Sequence, residues 1–126
     1  MPATACPCGS GLAVAACCGP LLSGSAVAQT AEQLMRSRYS AYVLGGRDYL
    51  LASWHPSTRP ATLELDPAVR WLSLSVKRHQ QTAPDAAVVE FVARCKVGGG
   101  SAARLHETSR FVREDGRWYY LDGDFP

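Results

Sequence analysis

The chain has 126 residues, of which 47% are aliphatic or aromatic and 19% charged, with a formal net charge of +2. That make-up fits one globular domain with a modest core and at most a small appendage, and it excludes a disordered chain. No basic residue occurs before Arg36 and no run of about eighteen apolar residues occurs, so neither a signal peptide nor a membrane span is expected and a cytoplasmic address follows.

The first predicted unit, residues 1–22, is a small knuckle around CPCGSGLAVAACCG, Cys6 to Gly19, which holds four of the five cysteines. Their spacing is C-x-C-x8-C-C. A divalent zinc takes four sulfur or nitrogen donors in a tetrahedron, and in a reducing compartment clustered cysteines serve as metal or redox groups more often than as disulfides. Pro7 stiffens the first pair, while Gly9, Ser10 and Gly11 let the backbone fold back. Cys17 and Cys18 are adjacent, so both reach one ion only where the chain leaves regular structure. Leu12, Ala13, Val14, Ala15 and Ala16 form too small an apolar set to fold unaided, and a metal supplies the missing stability. Other chemistries stay open: a dithiol redox site, against which the lack of C-x-x-C on a helix start counts; an iron–sulfur cluster, whose usual spacings differ; and plain disulfides. Zinc is the preferred reading. With Cys6, Cys8, Cys17 and Cys18 filling all four positions, the ion is structural. Four thiolates and one divalent ion bring the formal charge to zero, which argues against nucleic acid as a partner.

Ser23 to Gln29 reads as a linker. Thr30-Ala31-Glu32-Gln33 resembles a capping box, with Thr30 accepting from the Gln33 amide and Gln33 returning a bond. The helix it opens runs from Ala31 to Leu44, gathers Leu34, Met35, Tyr39, Tyr42 and Val43 on one face and stops at Gly45-Gly46. Asp48 can cap a second helix, Tyr49 to His55, ended by Pro56, and Pro60 to Leu65 offers a third turn or helix.

Beyond Pro67 the period becomes two. Leu72, Leu74 and Val76 alternate with polar residues, which leaves Trp71 on the polar parity. A clearer strand carries Ala87, Val89, Phe91, Ala93, Cys95 and Val97 on one face, so Cys95 reads as a core residue and not a fifth ligand. Gly98-Gly99-Gly100 turns the chain into a third strand, Ala102 to Arg113, and Asp115-Gly116 is a hairpin signal before Arg117 to Leu121. Helices followed by long antiparallel strands predict an α+β domain over residues 30–126, with helices packed on the concave side of a curved antiparallel sheet.

CPCGSG and CCG together resemble the SEC-C motif, a small zinc-binding module found at the C-terminal end of the bacterial translocase motor, where it is implied to contact partner proteins. LMRSRYSAYV, YLLASWHPS, FVARCKV and LHETSRFVREDGRWYYLDG resemble the YchJ family of bacterial proteins over nearly the whole chain. The resemblance implies a nuclear transport factor 2-like cone and the ligands Cys6, Cys8, Cys17 and Cys18. The translocase motif ends in Cys-His where this chain has Cys17-Cys18, and it carries lysines where this chain has LAVAA. Longer relatives end in a second such motif; the residues Asp122 to Pro126 hold none, so one ion per chain is expected.

Parity singles out one more group. Leu105, Glu107, Ser109 and Phe111 share a strand face, so Glu107 points inward if its apolar neighbours do. The plain expectation is a buried ion pair with Arg36 or Arg38. His55 reads as a satisfied helix-end histidine, His79 as solvated, and His106 points away from Glu107. Two functions follow. The first is a zinc-knuckled adaptor that binds a protein partner; the alternative is a small-molecule-binding protein or enzyme whose pocket uses Glu107, His55, Tyr39 and Arg38. An open cavity holding an unpaired, desolvated Glu107 would favour the second.

Overall fold

The computed structural model describes residues 4–125. After a 3-10 turn at Val14–Ala16 come α1 (Gly19–Ser23), α2 (Ala31–Leu44) and α3 (Arg47–Ala52), then the strands β1 (Val69–Ala83), β2 (Ala86–Val97), β3 (Ala103–Glu114) and β4 (Arg117–Asp124). The strands form one antiparallel meander in the order β1-β2-β3-β4, and α2 contacts β1, β2 and β4. The architecture is α+β, as the change of period predicts.

Local chemistry explains most boundaries. Thr30 Oγ1 accepts from the Gln33 amide at 3.1 Å, but Gln33 Oε1 takes the amide of Gln29 at 2.8 Å rather than that of Thr30, so the box closes one residue early. Gly45, at φ 80°, ends α2 in the left-handed region. Helix α3 starts before Asp48, because Gly46 takes the N-cap and Asp48 falls in the first turn. The expected helix at 60–65 does not form; six residues behind a proline yield too few hydrogen bonds to offset helix nucleation. Asp115 (φ 52°) and Gly116 (φ 75°) make the predicted tight turn.

Parity fails on β1, for an identifiable reason. Trp71 pairs with Cys95 and Ser73 with Arg94, so Leu72 is an extra residue on a bulge. The bulge turns Trp71 inward beside Leu74 and Val76 and leaves Leu72 45% exposed. The β1–β2 register shifts again after Val76 and Gln81, and a further bulge displaces Leu121 on β4, where Arg110 pairs with Asp122 and Phe111 with Tyr120.

The cysteine loop is not a free appendage. Arg36 Nη1 donates to the Cys8 carbonyl at 2.8 Å and Cys6 Sγ lies 3.5 Å from Ser40 Oγ, both from α2. Cys6, Cys8 and Cys18 belong to the same buried cluster as Leu34, Met35, Val89, Phe111 and Trp118. The cysteines, with Val14 packed against the cluster, thereby tie the loop into the core of the sheet domain, while Leu12, Ala15 and Ala16 stay exposed.

Candidate metal centre and cavity

The four N-terminal sulfurs converge. All lie within 4.8 Å of one another, with Cys8 and Cys17 at 3.6 Å and Cys17 and Cys18 at 3.9 Å. Sulfurs bonded at about 2.3 Å to a tetrahedral ion stand roughly 3.8 Å apart, which these separations bracket, while a disulfide needs about 2.05 Å. The geometry fits four ligands of one ion and fits no bridge, and all five cysteines are free.

Backbone permits the convergence. Gly9 (φ 80°) and Gly11 (φ 86°) hold conformations in which an L side chain is strained. Cys17 lies outside the helical and extended wells at φ −130°, ψ −101°, which lets two adjacent thiols face one point. A Cβ on Gly19 would come within 2.7 Å of the Val14 carbonyl, so glycine is required where the chain leaves the loop.

Electrostatics ask for a cation. Burial and neighbouring sulfurs push Cys17 and Cys18 up. Burial also acts against the Cys6 thiolate, but hydrogen bonds with Ser40, the backbone of Cys8 and Cys18, and the Cys18 side chain outweigh it and bring Cys6 down to about 6. Four thiolates in this space are stable only around a positive ion, which removes their mutual repulsion.

A second feature lies between α2 and the sheet: a cavity of about 340 Å³, walled by aromatic rings including Tyr39, Tyr42, Trp54 and Trp71. Arg38, Glu107 and Ser109 are its polar lining, with the Tyr120 hydroxyl. Glu107 is 7% exposed, and its Oε2 accepts from Ser109 Oγ at 2.7 Å and Tyr120 OH at 2.9 Å. Burial, with Glu107 adding to it, raises the Tyr120 pKa. Arg38 is 6% exposed. Its Nη1 donates to Leu50 O at 2.8 Å and Ser53 Oγ at 2.6 Å, and its guanidinium lies 5.0 Å from the Trp54 ring centre and 4.6 Å from that of Tyr120. The Trp54 indole N–H, in the same wall, is buried without an acceptor among the described residues.

Arg38, Tyr39 and Glu107 thus line one cavity, while the fourth residue expected there does not. His55 Nε2 meets Glu114 Oε1 at 2.8 Å and Nδ1 meets Ser57 Oγ at 2.7 Å, outside the cavity. The cause is parity: Trp54 bridges β4 at Tyr120 and meets its ring edge to face, so the next residue, His55, faces the other way, against Tyr119. The expected ion pair is also corrected. Arg36 binds Glu32 at 3.0 Å, and Glu107 is held by two hydroxyls instead of a guanidinium. His106 turns to Glu90 at 2.7 Å, and His79 stands 3.8 Å from Glu32. Sequence reasoning missed Ser53, which fixes Arg38, and the Tyr120 hydroxyl; Ser109 was legible, since it shares the strand face of Glu107.

Residues 30–123 match the family described as YchJ, middle NTF2-like domain. A UPF0225 protein of Ralstonia nicotianae is 61% identical, covering 98% of this chain and 92% of its own length. Another from Chromobacterium violaceum is 62% identical over 94% and 91%. Among solved structures, the solution structure of a SEC-C motif containing protein from Rhodopseudomonas palustris superposes with a TM-score of 0.87 at 37% identity, covering 96% of this chain and 98% of that one. The crystal structure of a SEC-C motif containing protein from Psychrobacter arcticus gives 0.80 at 30% identity, over 96% and 82%. Among the described residues no helix is long and apolar enough to cross a membrane.

Proposed function

Because the chain belongs to the YchJ family of NTF2-like, SEC-C motif containing proteins, we propose that it is a small-molecule-binding protein stapled by a structural zinc ion. Four sulfur donors at tetrahedral spacing suit zinc, and a site with every position filled by cysteine leaves no coordination place for a substrate. The ion holds the loop against α2 and so supports the wall that carries Arg38 and Tyr39.

One observation carries the binding role: side chains leave unfilled an aromatic cavity into which a buried arginine and a buried carboxylate both project. Interiors are otherwise packed to crystal density, and a pocket of apolar walls with a few converging polar groups is the usual form of a ligand site. Glu107 Oε1 receives no hydrogen bond from the described residues and is free to accept an N–H or O–H from a ligand. Native mass spectrometry with and without a chelator tests the metal, with one zinc per chain expected; freshly isolated, reduced protein without stoichiometric metal would remove that half of the proposal. The cavity is tested by titrating apolar fragments against the indole signals of Trp54 and Trp71, and silence across a fragment library would remove the other half.

A protein partner remains a second reading, favoured by the opposite face of the sheet. There Arg70 pairs with Lys96 and Arg94 with Arg104, like charges set opposite each other at a cost in stability. No carboxylate among the described residues pairs with any of the four. Such a patch suits an acidic protein surface; retention on immobilised poly-glutamate should be lost on Arg94→Glu with Arg104→Glu, and unchanged retention would reject it.

A further inference from the structure

The Arg38 guanidinium is unusual in what it lacks. It is nine-tenths buried, yet no carboxylate among the described residues comes within ion-pair distance. Both Nη1 protons are used, on Leu50 O and Ser53 Oγ. Nε and Nη2, the planar edge that matches a carboxylate fork, have no acceptor among the described residues, although neither is shut away from the cavity as the Trp54 indole N–H is shut into its wall. The aromatic rings of Trp54 and Tyr120 hold the plane in place but do not neutralise it. Glu107 does not fill the role, since its Oε2 is held by Ser109 and Tyr120 beyond ion-pair reach of Arg38.

Resting on the reading of this cavity as a ligand site, we infer that its ligand is a small organic carboxylate. The head sits on the Nε–Nη2 edge of Arg38 and the apolar body lies between Tyr39, Trp71 and Phe111. A buried charge left unpaired is costly and is retained where a ligand completes it. The charge pattern selects a monoanion: among the described residues Arg38 is the one cationic group lining the cavity, and Glu107 in the same wall repels a second negative charge, which disfavours a phosphate dianion. The volume of about 340 Å³ holds roughly a dozen non-hydrogen atoms, the lower end of ligand sites. Burial holds the Arg38 pKa below its ordinary value, with Tyr42, Tyr120, Tyr49 and Glu107 opposing the shift, which leaves a net deficit for a bound anion to correct.

The test uses the full chain at pH 7 with three matched pairs: phenylacetate, 3-phenylpropanoate and 4-phenylbutanoate, each beside its uncharged amide of the same shape. Binding is followed through the indole N–H resonances of the labelled protein. The best acid should bind at least tenfold more tightly than its amide, and Arg38→Gln should abolish that preference while the amide still binds. Should Arg38→Gln fail to fold, Arg38→Lys, which keeps the charge but loses the fork, should reduce the preference. Amides binding as well as acids to the unaltered protein would overturn the carboxylate assignment and leave the cavity's binding role standing. No response to any of the six would overturn both.

Discussion

Gly123 on β4 offers a sharp test of how Glu107 is held. Its backbone is not left-handed, so alanine brings no φ penalty, but a Cβ would occupy the place of Glu107 Oε2 and come within 2.8 Å of Cδ and 2.9 Å of Cγ. The carboxylate would have to swing away and surrender the bonds from Ser109 and Tyr120. Hydrogen bonds to a charged group contribute about 1.5–3 kcal/mol each, and the empty volume of the cavity lets the displaced group find new contacts. A net loss of about 2–4 kcal/mol is therefore expected for Gly123→Ala, within the usual range for overpacking a tight site plus one lost bond. Urea unfolding followed by circular dichroism measures it. In a Glu107→Ala background the obstruction is gone, so the same change should cost under about 1 kcal/mol, a coupling of at least about 1 kcal/mol between two sites in contact. Equal costs in the two backgrounds would show that the carboxylate is not what this glycine accommodates.

Metal removal should reach beyond the loop. Because Cys6, Cys8 and Cys18 lie in the cluster that includes Phe111 and Trp118, a chelator or Cys8→Ser should lower the melting temperature by about 10 °C or more, and the chelator should do nothing further to the variant; an unchanged melt would remove the staple. Tyr120 gives a pH prediction. Burial and Glu107 raise its folded pKa, so the folded state keeps a proton that the unfolded state releases near pH 10. Its contribution is fully present below that value and is lost as pH climbs toward the raised one. Denaturant midpoints between pH 9 and 11 should fall more steeply for the native chain than for Tyr120→Phe, and parallel slopes would contradict this.

Elements set by near neighbours were legible without tertiary information. Thr30 and Gln33 start α2 and Gly45 stops it by contacts within one turn. Asp115-Gly116 closes its hairpin by backbone conformation alone. The C-x-C-x8-C-C spacing, with glycines at 9 and 11, brings four sulfurs together in a closed loop of thirteen residues. Cys95, placed on a strand face by alternation, takes no part in that cluster. What alternation could not reveal was where it would break. The extra residue at Leu72 puts Trp71 on the core face in its place while Leu74 and Val76 keep theirs, and a period-two reading has no means of locating a bulge.

The sequence by itself determined the α+β order of elements, both ends of α2, the strand faces away from bulges and the meeting of the four thiols, because each rests on interactions within a short stretch of chain. Tertiary structure alone decided that Arg38 has no counter-charge among the described residues, that hydroxyls from residues 109 and 120 hold Glu107, and that His55 joins Glu114 across 59 positions instead of entering the cavity. Those outcomes depend on strand register and on which side chains meet across the core. A one-residue slip in register exchanges the partners, so no local pattern encodes them.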